Sequence, residues 1–249
     1  MLSSEALDNV RVVSQSTRGS TVSNSLVAYD DSDSFPIQYA LGFDLAQTYF
    51  GRIDHLVVEG WSDYYYLTGI ADLLAAGGES PNQLSRISIL PAIGASKVTT
   101  VAGYSLSNGH RVRVLVDADA EGQRARALLQ AQGVLPSNSV LDVSVADDSD
   151  TIVTIEYVLG EQLFKRLVKE AYSAETRDFP DIKLKPGSTL VDRVSAAYEE
   201  LGLRISKNRV AKHFLNQVDA GTLQVPAKTR ARFMKLIEAI LTAPSHRRA

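Results

Sequence analysis

The chain has 249 residues, 45% of them hydrophobic and 22% charged, and a net charge of −3; this is the composition of a globular protein with one large or two ordinary domains. It has no cysteine, which excludes disulfides and thiolate metal sites, so a metal would have to sit on oxygen ligands or on one of four histidines. No uncharged apolar run approaches the roughly 20 residues needed to span a bilayer, and the N-terminus lacks a signal pattern, so no membrane role and a cytoplasmic location are expected.

Residues 1–36 are polar and rich in Ser, Thr and Asp, with Asp30, Asp31 and Asp33 near their end, and read as linker. Leu41, Leu45 and Tyr49 predict a short helix over residues 35–50. An apolar run at 54–58 predicts the first strand of a sheet, and 61–76 a helix stopped by Gly77 and Gly78. A strand at 86–90 is ended by Pro91; a helix over 96–106, a strand over 111–116, a helix over 121–132 and a strand over 139–145 follow. Strands alternating with helices imply an α/β domain, with a mostly parallel four-stranded sheet covered on both faces.

Beyond Asp150 the pattern is helical only: 154–172, a Pro/Gly-containing loop at 179–187, then 190–201, 207–218 and 227–241. The expected organisation is a lead-in over 1–52, an α/β domain over 53–153 and a helical domain over 154–249. Residues 1–150 carry 9 Lys and Arg against 18 Asp and Glu, and residues 151–249 carry 17 against 11. An acidic half beside a basic half suggests that one binds cations while the other faces a polyanion.

The acidic half concentrates its carboxylates where strands end. Residues 111–122, RVRVLVDADAEG, place Asp117 and Asp119 at the carboxyl end of a buried strand, where open α/β sheets bind ligands. Two carboxylates held that close repel each other and favour a divalent cation or a shared proton. Upstream, residues 55–63 end a strand in Glu59-Gly60, with Asp63 in the first turn of the next helix.

Strand-Glu-Gly-x-x-Asp followed by strand-Asp-x-Asp-x-x-Gly resembles the Toprim domain of topoisomerases, primases and nucleases. With LPAIGASK at 90–97, VLVDADAEG at 114–122, TIEYV at 154–158 and the lead-in YALGFDL at 39–45, the order of motifs resembles the C-terminal region of OLD (overcoming lysogenisation defect) family nucleases over residues 37–218. The layout is closer to the class of that family, class 2, that works beside UvrD-like helicases. OLD proteins begin with an ABC-type ATPase, and no Gly-x-x-x-x-Gly-Lys-Ser/Thr loop occurs here, so the ATPase domain is expected elsewhere in a longer protein.

The resemblance implies a DNA endonuclease using two Mg²⁺ or Mn²⁺ ions, with Glu59, Asp63, Asp117, Asp119 and Glu156 as metal ligands and Glu59 alternatively as general acid or base. Tyr157 stands where the family's Ile-Glu-Asp motif has its second acid, and Asp150 is an alternative ligand to Glu156. Gly60 and Gly122 fit close approach of backbone to ion or phosphate, and Ser96 and Lys97 start a helix whose N–H groups can face a phosphate. Lys207 resembles a catalytic lysine that the family brings from its helical domain, with Lys212 as its rival. Arg204, Arg209, Lys212, Lys228, Arg230 and Arg232, with Lys235 and the His246-Arg247-Arg248 tail, are candidates for non-specific DNA-backbone contacts. Trp61 and Tyr64 to Tyr66 read as helix core, and the four histidines show no ligand spacing. The alternatives are an Asp-x-Asp phosphatase or phosphotransferase with Asp117 as nucleophile, and a module that binds DNA or a partner without cutting.

Overall fold

The computed structural model describes residues 12–16, 19–23, 54–78, 83–147, 154–177, 179, 182–187 and 189–247. The chain divides into two compact units, Met1–Ile53 and Asp54–Ala249. In the first, where the sequence predicts linker, strands β1 (Val12–Ser16) and β2 (Gly19–Ser23) form an antiparallel pair in which Val13 lies opposite Val22. Its Ser- and Thr-rich composition hid the strands; the β-branched residues were the available signal. The helix predicted over residues 35–50, the Asp30–Asp33 run and Asp150 lie outside the described residues.

The second unit is built on β3 (Asp54–Val58), β4 (Ser88–Pro91), β5 (Arg111–Val116) and β6 (Val140–Asp142), all parallel, in the spatial order β4-β3-β5-β6. The chain leaves β3 for one neighbour and returns to the other side for β5, so the strand order reverses between β3 and β5. In open parallel sheets the crevice outside the carboxyl ends at such a reversal is where ligands bind. Pleating alternates the burial: Leu56, Val58 and Leu115 belong to the larger core, while Val57, Val114 and Val116 are buried on the other face.

Helix α1 (Trp61–Ala76) follows β3, α2 (Ala95–Ser107) follows β4, and α3 (Ala120–Ala131) follows β5. α2 packs on β5 and α3. The last strand is shorter than the 139–145 expected, because Asp142 accepts the Ser144 N–H at 3.1 Å and turns residues Val143–Ala146 into a 3₁₀ helix. The single helix expected over 154–172 is two, α4 (Ile155–Leu159) and α5 (Glu161–Ala171), broken at Gly160. There φ is +89°, a backbone region that favours glycine. The Leu159 carbonyl at this break accepts the Thr229 hydroxyl at 2.6 Å.

Three more helices complete the unit: α6 (Leu190–Glu199), α7 (Lys207–Asp219) and α8 (Ala227–Thr242). α7 lies along α1, and the contact is closest at Gly69, where a Cβ would meet a Phe214 ring carbon at 2.8 Å. One hydrophobic cluster runs from Leu56, Val58 and Leu115 in the sheet through Tyr66, Ile70, Ile155, Leu167, Val194 and Phe214 to Phe233 and Ile240. The sheet region and the helical region, drawn as separate domains at residue 153 from the sequence, therefore share one core. Among the described residues no helix is long and apolar enough to cross a membrane.

After α8 the chain returns to the sheet. The His246 backbone forms an antiparallel bridge with Val112, at 2.7 and 3.0 Å, on the stretch of β5 that short β6 leaves uncovered. Covering an open strand edge removes a template for intermolecular pairing.

Candidate active site

Glu59 and Asp117 are the residues directly after β3 and β5, so the reversal of strand order sets them side by side. The Asp117 N–H donates to Glu59 Oε1 at 2.8 Å, fixing one carboxylate across the gap between the strands. Asp63 lies in the first turn of α1, where its Oδ2 accepts the Gly60 N–H at 2.7 Å. Asp119 caps α3, its Oδ1 accepting the N–H groups of Glu121 at 3.0 Å and Gly122 at 2.9 Å. A carboxylate at a helix N-terminus is further favoured by the macrodipole.

Gly122 is needed here for its size. A Cβ at that position would lie 2.0 Å from the Asp117 carbonyl oxygen and 2.9 Å from Glu59 Oε1, so α3 starts hard against the two acids. Gly60 carries no such constraint: its backbone is extended, at φ −153°, and a Cβ would meet nothing closer than 3.7 Å.

Three acids, Asp63, Asp117 and Glu156, are buried. Asp117 is 8% and Glu156 1% exposed, and Asp117 Oδ1 and Glu156 Oε1 have no hydrogen-bond partner. Burial pushes the Asp117 carboxyl well above its ordinary value, with Asp63, Glu156 and Glu59 adding to the rise. Burial likewise pushes Asp63 up to about 7 against the lowering field of Lys207, with Glu156 and Glu59 again raising it. Glu59 is raised by burial, partly offset by the Asp117 N–H.

Lys207, the exposed first residue of α7, is the cation set against this group. Partial desolvation disfavours its ammonium, but the fields of Glu156, Asp63, Asp117 and Glu59 outweigh it and raise its pKa. The helical region thus sends one charge to the sheet's carboxyl edge, and the close α1–α7 contact at Gly69 fixes where that helix begins to run.

The loop after β4 closes the other side. The Ala92 N–H donates to the Val58 carbonyl at 2.9 Å and the Gly94 N–H to the Glu59 carbonyl at 2.7 Å, so Ser96 and Lys97, both exposed in the first turn of α2, stand at the rim. Of the six cations expected to face DNA, Arg204 and Lys228 are exposed. Three others have structural partners. Arg209 pairs with Glu175 at 2.9 Å and lies 3.8 Å above the Tyr172 ring, Arg232 pairs with Asp147 at 2.7 Å, and Arg230 donates to the Val225 carbonyl at 3.2 Å.

Among the described residues no group of three or more His, Asp or Glu side chains is gathered, as placed, to hold a metal ion. The donor chemistry does fit a hard divalent cation: the site offers oxygen alone, and two buried carboxylate oxygens lack any partner. What a cation would still require is closure of the carboxylates around it.

Sequence reading missed Tyr66, whose ring is core as expected but whose buried hydroxyl lies in the field of Glu156 and Asp63. Its place three residues after Asp63, on the same face of α1, was the available signal.

No family model matches the chain, and no curated protein does. Among solved structures it is similar to the C-terminal region of the Xanthomonas campestris pv. campestris OLD protein, with a TM-score of 0.43 and 16% identity over 78% of this chain and 96% of that one.

Proposed function

We propose that this chain is the catalytic region of a metal-dependent DNA endonuclease of the OLD type, with a Toprim-like sheet carrying the acids. The observation that carries the reading is that Glu59, Asp63, Asp117 and Glu156 all act on Lys207 beside the carboxyl ends of β3 and β5, with two buried carboxylate oxygens unpartnered. Glu59, Asp63, Asp117, Asp119 and Glu156 would hold the metal; Glu59, fixed by the Asp117 N–H, would also take a proton from an attacking water. Two bound Mg²⁺ or Mn²⁺ ions would supply neutralisation of the phosphoryl oxygens and a water acidic enough to attack at neutral pH. Lys207 adds a charge that offsets the one developing on the phosphate in the transition state. Ser96 and Lys97 at the rim, with Arg204 and Lys228, contact the DNA backbone without reading sequence. The ATPase domain of a longer protein and a UvrD-like helicase are the partners this reading implies.

The test is incubation of the purified chain with supercoiled plasmid in Mg²⁺, Mn²⁺, Ca²⁺ or EDTA, beside Glu59→Ala and Lys207→Ala. Metal-dependent nicking or linearisation that both substitutions reduce is the expected result. DNA binding that survives EDTA, with no cleavage in any metal, would replace the reading with that of a binding module.

A further inference from the structure

The core beside the acidic site holds a donor with nothing to donate to. Tyr66 is 0% exposed and its hydroxyl has no hydrogen-bond partner. Burying an unpaired hydroxyl is destabilising, and phenylalanine would fill the same apolar space without that cost. Nothing about packing therefore accounts for the oxygen. The ring does pack, edge-on to Phe214 at 5.3 Å, which anchors it between α1 and the helix that begins with Lys207.

An acceptor that likewise lacks a partner exists. Glu156 Oε1 is also buried and unpartnered, and burial, with the fields of Glu156 and Asp63 adding to it, keeps the proton on the Tyr66 hydroxyl. Asp63 is three residues before Tyr66 on α1, so both side chains lie on one face of that helix. A buried phenol that keeps its proton and a buried carboxylate oxygen without a donor are a complementary donor and acceptor.

We propose that Tyr66 is a positioning residue for the acidic site: when a divalent cation is held there, the Tyr66 hydroxyl donates to Glu156 and fixes that carboxylate toward the cation. The inference rests on the metal-site reading above. Groups that orient metal-binding carboxylates in this way typically govern 10- to 100-fold in metal affinity.

The experiment is titration of the purified chain with Mn²⁺, reading free Mn²⁺ by electron paramagnetic resonance, for wild type, Tyr66→Phe, Glu156→Gln and the double variant, with thermal melts in EDTA. Tyr66→Phe is expected to melt at or above the wild-type temperature and to bind Mn²⁺ about tenfold more weakly. In the double variant the tyrosine substitution is expected to add little, since Tyr66 acts through Glu156. Equal Mn²⁺ affinity in wild type and Tyr66→Phe would overturn the inference while leaving the metal site standing, and so would a melt several degrees below wild type, which would make the hydroxyl structural. Failure of wild type itself to bind Mn²⁺ would remove the metal-site reading and this inference with it.

Discussion

The two edges of the parallel sheet handle charge in opposite ways. At the amino edge, Asp54 pairs with Arg111 at 2.6 Å and Arg113 at 3.5 Å, Arg113 also donates to the Ala243 carbonyl at 2.7 Å, and His55 stacks on His110 with ring centroids 3.9 Å apart. The C-terminal segment then covers the neighbouring strand through His246. At the carboxyl edge, four acids face one lysine, and two of the carboxylate oxygens touch no donor. One edge pairs its carboxylate with two cations; the other retains repulsion that a proton or an added cation would relieve. Carboxylates whose ionised forms are opposed by burial and by one another, gathered in a crevice, are a common mark of a site.

That contrast breaks most sharply at Asp117. Asp117→Asn removes a buried ionisable carboxyl while keeping the shape, so it should abolish metal-dependent plasmid nicking, by about 10³-fold or more if Asp117 is a metal ligand. In EDTA at alkaline pH, where Asp117 is driven to ionise, the same variant should melt higher than wild type by about 3 °C or more, because burial and the fields of Asp63, Glu156 and Glu59 oppose that charge only in wild type. A variant that loses nicking and also melts lower would mean that the acid is part of the scaffold.

The glycines separate tight packing from access. Gly122→Ala forces a Cβ into the Asp117 carbonyl and should lower the melting temperature by about 5 °C or more, overpacking of this kind costing about 1 to 3 kcal/mol or beyond. Gly60→Ala meets only ordinary contacts and should melt within about 1 °C of wild type. If Gly60→Ala folds normally but cuts poorly, close approach of the backbone to phosphate at Gly60 is the remaining explanation, whereas equal cutting would end that role.

These glycines also mark how far the sequence could be read. The strand-acid-turn pattern at residues 55–63 and 111–122 located Glu59, Asp63, Asp117 and Asp119, because apolar runs ended by acids follow from local chemistry. It could not show that Gly122 is wedged against Asp117, since that contact depends on the angle at which α3 leaves the strand. The helix break at Gly160 was hidden by continuous apolar spacing on either side; the positive φ and the Thr229 hydroxyl that takes the freed carbonyl come from tertiary packing. The basic residues of α7 and α8 looked alike in sequence, and only the fold distinguishes Arg209 and Arg232, tied to Glu175 and Asp147, from Lys207, directed at the acids.

Acid should stabilise the metal-free protein through the carboxyl edge. Asp63 titrates near 7 when folded and at an ordinary carboxylate value when unfolded, so between about pH 4 and 7 the folded state binds the extra proton. Its contribution is therefore full at low pH and is lost as pH rises through 7; Asp117, raised for the same reason, acts in the same direction. In EDTA the melting temperature should fall by about 5 °C from pH 5 to pH 7.5. Added Mn²⁺ should recover it at pH 7.5 and do little at pH 5, where protons compete for the same oxygens. A melting temperature that rises over that interval in EDTA would show that these acids are not desolvated as the structure places them.

The amino edge should answer the other way. Asp54→Asn weakens two ion pairs, one to the half-exposed Arg111 and one to the more buried Arg113. The Arg111 pair is worth little in water, and Arg113 keeps its bond to the Ala243 carbonyl, so the loss should be about 1 kcal/mol, or about 2 to 4 °C in melting temperature. Because Asp54 lies at the far end of β3 from Glu59, plasmid nicking per folded molecule should be unchanged. The two edges are thus separable by one measurement made twice: a substitution at the carboxyl edge that removes activity and raises stability, set against one at the amino edge that lowers stability and spares activity. Loss of nicking in Asp54→Asn, with its melting temperature intact, would show that the strand transmits charge from one edge to the other and that the division of labour is incomplete.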